Sequence, residues 1–191
     1  LVGTQLISKG FHFPNLNCII VLDIDLTSQG HDLRSAEKNL QLYHQLSGRA
    51  GRTGKSANVY FQTFNSKPEV IDQITSEDPF KFLDHELELR KKNNLPPYER
   101  FVSLILSSEN EKKLDQESLK LKKIISNSIN EKILGPVNAP IFKINRKFRS
   151  RLLIRAKKTS KIQKKIKMIL KEFKIQSGMK LTVDVDPISF N

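Results

Sequence analysis

The sequence predicts an α/β protein in two parts, on three observations. Residues 18–64 hold two apolar, strand-like runs on either side of a segment with helical spacing, the order of an α/β sheet with a crossover helix. Residues 95–98, Leu-Pro-Pro-Tyr, then interrupt the chain, because neither proline can continue a helix. The order beyond them is β-α-β-β-α-β, which predicts a split βαβ fold with two helices on one face of a small sheet. We therefore expect a first part over 1–94, a linker over 95–100 and a second domain over 101–191.

The first part begins with the apolar run CIIVLDI at 18–24, which predicts a buried strand that ends in acidic residues. Apolar residues with helical spacing extend from Ser35 to about Gln45, and a loop rich in glycine and basic residues follows at 48–56. The run ANVYFQTF at 57–64 predicts the next strand. We expect Cys18, the one cysteine, to be a buried small residue, and a single cysteine is consistent with a reducing compartment.

The last helix of the first part and the first elements of the second have clear boundaries. Asp78 and Pro79 are typical of an N-cap and first helical residue, and the helix is expected to run to about Lys92 with Phe80, Leu83 and Leu87 on one face. In the second part, 101–107 predicts a strand and 110–130 a long helix. Its apolar stripe comprises Leu114, Leu121, Ile124, Ile125 and Ile129.

The remaining elements are predicted from shorter patterns. Residues 133–156 are expected to form two or three short strands. Ser160 can cap a helix over Thr159–Lys174, on which Ile162, Ile166, Ile169, Leu170 and Phe173 share one side. Gly178 breaks the chain before a last strand over 181–186, where Asp184 and Asp186 are expected to be structural.

Charge is divided unevenly along the 191 residues, which carry a formal net charge of +13. Residues 1–99 hold 11 Lys and Arg against 12 Asp and Glu, whereas 100–191 hold 22 against 8. Such asymmetry indicates a polyanionic partner for the second part. A coding bias toward lysine is an alternative, but it explains less well why four of nine arginines lie between Arg146 and Arg155. The longest apolar run has five residues, so no membrane span is expected.

The loop GRAGRTGKS at 48–56 is not a phosphate-binding P-loop. That motif requires a glycine five residues before Gly54, where this chain has Arg49, and it joins a strand to a helix rather than a helix to a strand. Arg49 and Arg52 stand three residues apart, and guanidiniums so placed can reach a triphosphate held by a neighbouring domain. The loop is therefore interpreted as an arginine-finger segment, with structural ion pairs as the alternative.

Two motifs carry a resemblance to superfamily 2 helicases. The pattern Gln45-x-x-Gly48-Arg49-x-x-Arg52 is similar to their motif VI, and Gly3-Thr4-Gln5 through Lys9-Gly10 is similar to motif V. Longer strings, in order along the chain, resemble the PriA family of primosomal replication-restart helicases: GTQLISKGFHFPN, LDIDL, DLRSAEKNLQLYHQLSGRAGR, LPPY, LGPVNAP and VDVDP. A RecG-like translocase is the alternative within superfamily 2, but LPPY followed by VDVDP is not expected there.

The resemblance implies the C-terminal part of a second RecA-like helicase lobe followed by the family's C-terminal domain. The family is implied to be a cytoplasmic, ATP-dependent 3′→5′ DNA helicase that restarts replication forks and assembles primosomes. Arg49 and Arg52 would be catalytic at the γ-phosphate, and Gln45 and Gly48 would join them in the ATP site. Gly3, Thr4, Gln5, Lys9 and Gly10 would contact the DNA backbone.

The same resemblance implies that much of the motor is missing. The Walker A and B motifs that bind ATP with Mg²⁺, and the family's zinc-binding cysteines, do not occur in this chain. We therefore expect the isolated chain to be inactive as an ATPase. Its alternative role is that of a non-enzymatic module that binds DNA or protein.

The second part is expected to supply that binding. Arg146, Arg149 and Arg151, with Phe148 among them, predict contacts to branched and single-stranded DNA. The resemblance also implies a basic pocket for the acidic tail of single-stranded DNA-binding protein, alongside contacts with primosome proteins. Candidates for tail or DNA contact are Lys157, Lys158, Lys161, Lys164 and Lys165.

Overall fold

The computed structural model describes residues 1–4, 16–22, 33–48, 58–64 and 78–188. The chain divides into two compact units, Leu1–His85 and Glu86–Asn191, and the division falls within one helix. No helix in the described ranges has the length and apolar character that crossing a bilayer requires.

The first unit contains a parallel pair of strands joined through a helix. Strand β1 (Cys18–Val21) lies beside β2 (Asn58–Phe61) in parallel register, and helix α1 (Ser35–Ser47) lies between them in sequence. The α1 side chains Leu40 and Tyr43 are buried, and the Tyr43 ring centroid lies 5.1 Å from that of Phe61. The predicted order of strand, crossover helix and strand is confirmed.

The prediction that β1 is buried is wrong for the residues described. Cys18 is exposed, and Ile20 retains 63% of its accessible surface. Among described strands, only β2 pairs with β1. The apolar residues of β1 suit a strand covered on both faces, and the described residues of this unit cover little of it.

Helix α2 (Pro79–Lys92) begins and ends as the sequence predicts. The Asp78 Oδ1 accepts a hydrogen bond of 2.9 Å from the Phe80 backbone N–H, which is the predicted N-cap. At the other end Asn94 adopts φ 52°, and Leu95 N–H donates to Arg90 O at 2.8 Å, which closes the helix in a Schellman arrangement. The predicted apolar face is wrong, because Phe82 is buried whereas the predicted residues Phe80, Leu83 and Leu87 are all exposed.

The second unit has the predicted β-α-β-β-α-β order. Its elements are β3 (Glu99–Ser108), α3 (Glu111–Ser128), β4 (Lys132–Ile144), β5 (Lys147–Lys157), α4 (Ile162–Glu172) and β6 (Met179–Val185). The four strands form one antiparallel sheet in the order β4-β5-β3-β6. Both helices contribute to a single core with alternate residues of β3 and β5, so they cover the same face.

That core is built from the predicted helical stripes and from the strand alternation. On α3, Leu114, Leu121 and Ile125 are buried, and Asn110 caps the helix by accepting from the Lys113 N–H at 3.0 Å. On α4, Ile162 and Ile166 are buried. They meet Val102, Leu104, Leu106, Leu152, Ile154 and Ala156 of the sheet.

Residues 133–156 differ from the prediction of two or three short strands. They lie in two long strands, β4 and β5, joined by a two-residue turn at Asn145 and Arg146 with φ 49° and 66°. Positive φ at both central residues is the type I′ turn, which matches the twist of a hairpin. Pairing shifts register between Leu134 and Val137 and between Asn138 and Lys143, and these irregularities resemble strand ends in the sequence.

The predicted N-cap role of Ser160 is also wrong. Helix α4 begins at Ile162 without a side-chain cap, and the Ser160 Oγ donates instead to Glu131 Oε1 at 2.8 Å. At the end of β6, Asp186 exchanges two hydrogen bonds with the backbone of Phe101, at 2.7 Å and 3.2 Å. Asp186 is therefore structural, as predicted.

Candidate nucleic-acid interface and anion-binding cleft

The helicase motifs lie mostly outside the described residues. These include Gln5, Lys9 and Gly10 of motif V and Arg49 and Arg52 of motif VI. Within the described ranges, Gly3 and Thr4 are exposed and have no regular structure. Gln45 is exposed in the last turn of α1, and Gly48, which is also exposed, donates its N–H to His44 O at 2.9 Å. Motif VI therefore starts at the exposed C-terminal end of α1.

A basic row lies on the face of the second sheet opposite the two helices. Arg149 and Arg151 are alternate residues of β5 and share this face, because the core residues Leu152 and Ile154 occupy the other. Arg146 is exposed at the hairpin tip, two residues before β5 reaches Phe148. The predicted DNA-binding arginines thus lie along one strand and its turn.

Arg149 and Arg151 raise each other's electrostatic energy. The pKa of Arg151 lies below its ordinary value, first because the side chain is partly buried and second because the positive charge of Arg149 is nearby. The Arg149 Nη1 donates to Ile141 O at 3.3 Å, which holds its guanidinium beside β4. A phosphate between the two guanidiniums would relieve their repulsion.

Strand register adds a basic residue that sequence reasoning missed. Arg149 pairs with Ser107 of β3, and Ser107 pairs with Lys180 of β6, so the three side chains form a row across the sheet. Lys180 is exposed. It lies 31 residues from Arg149 in sequence, and only the β5-β3-β6 strand order brings it to the same row.

Phe148 was predicted to lie with the arginines, but it lies on the opposite face of the sheet. Because residues alternate along β5, its ring lies on the helix side and packs partly against the core. The ring centroid lies 5.3 Å from that of Phe142, and the Lys143 Nζ lies 4.4 Å from the Phe148 centroid. The structure assigns Phe148 to packing rather than to base stacking.

Arg155 continues the row on β5 but is engaged internally. Its Nη2 donates to the backbone oxygens of Asn93 and Asn94 at 3.1 Å and 2.9 Å, and its Nε donates to Glu99 Oε2 at 3.3 Å. Its guanidinium carbon also lies 5.6 Å from the Phe101 ring centroid. Arg155 therefore fastens the end of α2 to the sheet.

A cleft of about 710 Å³ opens beside Arg155. It is formed by the end of α2, the α3–β4 connection and the segment that joins β5 to α4. Five cationic and two acidic side chains line it, for a formal charge of +3: Lys92, Lys132, Arg155, Lys157, Lys165, Glu99 and Glu131. This balance makes the cleft a candidate for binding anions.

Two of the five lysines predicted for tail or DNA contact, Lys157 and Lys165, line this cleft. The other three, Lys158, Lys161 and Lys164, are exposed and lie outside its lining. Lys92 and Lys132 were missed, because they belong to elements distant in sequence that the fold brings to the same opening.

Glu131 lies at one wall of the cleft with its side chain only 13% exposed. Its Oε1 accepts from the Lys165 Nζ at 2.9 Å and from Ser160 Oγ at 2.8 Å, and its Oε2 is buried without a hydrogen-bond partner among the described residues. Burial raises the pKa of this carboxyl. The hydrogen bonds from Lys165, Ser160 and the Glu131 backbone, together with the positive charge of Lys165, outweigh it and leave the pKa below its ordinary value. The group is therefore ionised at neutral pH.

Over the described ranges, no three His, Cys, Asp or Glu side chains converge in a way that could hold a metal ion.

Comparison with known proteins agrees with this architecture. Residues 91–188, just over half of the chain, match the family described as the primosomal protein N C-terminal domain. The chain belongs to the PriA family. Residues 1–54 match the helicase conserved C-terminal domain. The match of 91–188 to the primosomal protein N C-terminal domain confirms the PriA assignment over the RecG-like alternative.

Named PriA relatives match the chain from end to end. The replication restart protein PriA of Rickettsia felis is 40% identical over 190 residues, which cover 100% of this chain and 29% of the relative. The PriA of Bacillus subtilis is 33% identical over 98% of this chain and 24% of its own length, and that of Borreliella burgdorferi is 29% identical over 99% and 29%. The chain spans less than a third of the PriA proteins that it matches.

Proposed function

We propose that this chain is the C-terminal portion of an ATP-dependent 3′→5′ DNA helicase that restarts replication forks and assembles primosomes. Membership of the PriA family and the match of 1–54 to a helicase domain support this role. ATP with Mg²⁺ would be held mostly by a first lobe outside this chain, with Arg49 and Arg52 reaching its γ-phosphate. Hydrolysis of the bound ATP would supply the free energy for strand separation.

For the described residues, the proposed task at the nucleotide is positioning. Gln45 and Gly48 are exposed at the end of α1, directly before Arg49. A rigid helix that ends at this point would fix where the arginine segment begins, and Gly48 leaves the backbone beside it without a side chain.

DNA binding is proposed for the face of the second sheet opposite α3 and α4. The observation that carries it is the adjacency of Arg149 and Arg151, two guanidiniums on one face of the sheet. Partial burial lowers the pKa of Arg151, and the positive charge of Arg149 lowers it further. Lys180 extends the row across the sheet, and Arg146 extends it to the hairpin tip. Cations in a row along a strand suit contact with successive phosphates and carry no sequence preference.

Titration with a forked DNA at several salt concentrations tests this proposal. Replacing Arg146, Arg149 and Arg151 with alanine should weaken binding and flatten the plot of log affinity against log salt by about 0.7–0.9 for each phosphate that the protein no longer neutralises. The matched control replaces Lys112, Lys113 and Lys123, which are exposed on α3 on the opposite face of the sheet. Equal effects of the two triple variants, or an unchanged slope for the arginine variant, would contradict the assignment.

The proposal that ATP is held mostly outside this chain is tested by an ATPase assay. The sequence contains no Gly-x-x-x-x-Gly-Lys-Ser/Thr motif, so the chain alone is expected to show no DNA-stimulated ATP hydrolysis. Hydrolysis that persists in the purified chain and disappears in Arg52→Ala would show that an ATP site is present after all.

A second candidate function is protein binding by the cleft. Its formal charge of +3, and three lysines besides the pair Lys165–Glu131, favour an acidic peptide. We propose that this peptide is the acidic tail of single-stranded DNA-binding protein. Fluorescence polarisation with a labelled tail peptide should show binding that falls in the variant Lys132→Ala/Lys157→Ala and survives in Lys112→Ala/Lys113→Ala.

A further inference from the structure

The cleft already contains a carboxylate of the chain itself. Glu131 Oε1 takes hydrogen bonds from the Lys165 ammonium and the Ser160 hydroxyl, two donors that an incoming carboxylate would also use. The other lining lysines, Lys92, Lys132 and Lys157, form no ion pair with any residue in 78–188. Glu131 therefore neutralises one of the five cationic side chains that line the cleft and would otherwise attract a ligand's acid.

The attachment of Glu131 is incomplete. Its Oε2 is buried and lacks a hydrogen-bond partner among the described residues, although buried carboxylate oxygens are ordinarily satisfied. A carboxylate that is hydrogen-bonded through one oxygen loses fewer hydrogen bonds when a ligand displaces it than one that is bonded through both. It also repels any anion that enters while it stays in place.

We propose that Glu131 is a built-in competitor for acidic protein ligands in this cleft, and that it sets their affinity by occupying Lys165 and Ser160. The proposal rests on the acidic-peptide function above and adds its regulation. Because the carboxyl is ionised at neutral pH, it opposes binding under ordinary conditions. Binding of an acidic tail would then require Lys165 to exchange one carboxylate for another, which keeps the complex reversible.

The test compares three variants of the 191-residue chain against one labelled acidic tail peptide. Glu131→Gln removes the charge and keeps the shape, and it should tighten binding about three- to tenfold, as expected when one like charge a few ångströms from the ligand is removed near a protein surface. Glu131→Asp keeps the charge but withdraws it from Lys165 and Ser160, so its affinity should lie between those of the unmodified chain and Glu131→Gln. Glu172→Gln removes the same charge from the exposed end of α4, outside the cleft lining, and serves as the matched control.

The outcomes separate the two proposals. If Glu131→Gln binds the peptide more tightly and Glu172→Gln does not, competition is supported. Weaker binding by Glu131→Gln would mean that Glu131 positions Lys165 for the ligand, and it would overturn the competitor proposal. An effect equal to that of Glu172→Gln would also overturn it. If neither the unmodified chain nor any variant binds the peptide, the acidic-peptide function itself fails.

An oligonucleotide control tests the class of ligand. A single-stranded thymidine oligonucleotide should bind Glu131→Gln and the unmodified chain within about twofold of each other, because its phosphates are proposed to use the arginine face. An equal gain for DNA and peptide would make the cleft a general polyanion site and contradict a competitor specific to acidic protein.

Discussion

At the scale of single residues, Arg155 shows how one guanidinium joins segments that are far apart in sequence. It bonds Asn93, Asn94 and Glu99 with a side chain that is 21% exposed. The geometry depends on the planar fork of donors, which an ammonium cannot reproduce. Arg155 therefore stabilises the start of the second unit.

Replacing Arg155 with alanine should lower the free energy of unfolding of this unit by about 2 kcal/mol, because two backbone carbonyls and the carboxylate of Glu99 lose a charged donor. Arg155→Lys should recover only part of the loss. Urea denaturation measures both variants. Arg146→Ala, at the exposed tip, is the control and should change stability by less than about 0.5 kcal/mol. If Arg155→Ala and Arg146→Ala lower stability equally, the contacts of Arg155 do not stabilise this unit.

The contrast between Arg155 and Arg149 also explains what the sequence could not predict at this scale. Both lie in a cluster of arginines that the sequence identifies as basic and suited to nucleic acid. Only strand register reveals that Glu99 pairs with Lys157 and lies near Arg155, whereas Arg149 faces Ser107. Charge type is visible in the sequence, but partners from residues about 50 positions away are not.

At the scale of elements, the β4–β5 hairpin combines a predictable turn with unpredictable strands. Buried and partly exposed residues alternate regularly along β5, and apolar residues predominate on the side that faces the core. Strand β4 contains Gly135, with φ 93° and with the position of a Cβ only 2.6 Å from Arg151 O, so no larger residue fits there without backbone movement. That glycine and the adjacent proline resemble a strand end in the sequence, whereas in the fold they form a bulge within one long strand.

The turn itself leads to a prediction in which stability and DNA binding change in opposite directions. Arg146 adopts φ 66°, a conformation that costs side chains with a Cβ about 1 kcal/mol and costs glycine little. Arg146→Gly should therefore raise the free energy of unfolding by about 0.5–1 kcal/mol while it weakens DNA binding. Thermal denaturation and the fork titration measure the two effects.

Two further variants separate strain from charge. Arg146→Ala removes the charge but keeps the Cβ, so it should weaken DNA binding without the gain in stability. Asn145→Gly should gain less than Arg146→Gly, since asparagine tolerates positive φ. If Arg146→Gly proves destabilising, the turn does not have the type I′ geometry.

At the scale of the whole chain, the excess charge and the apolar core belong to the same unit. All of the core cluster lies between Val102 and Phe173, and residues 100–191 carry 22 of the 33 basic residues. The first unit, by contrast, leaves Ile20 and Tyr60 more than half exposed. The sequence predicted this division in charge and in element order, but it did not predict that Cys18 and Ile20 of β1 are exposed.

This difference predicts that the second unit folds without the first. A fragment of residues 78–191 retains Asp78, which caps α2, and the complete core cluster. It should unfold in one cooperative urea transition. The full chain should show that transition together with a separate one from the first unit.

The fragment also tests where DNA is bound. Because the arginine face and Lys180 lie within it, its affinity for a fork should stay within about twofold of the full chain, with the same salt slope. A tenfold loss in a fragment that still unfolds cooperatively would assign the main DNA contacts to residues 1–77, where the candidates are Gly3, Thr4, Gln5, Lys9 and Gly10. Circular dichroism and fluorescence followed on the same samples would show whether both probes report one transition, as independent folding of this unit requires.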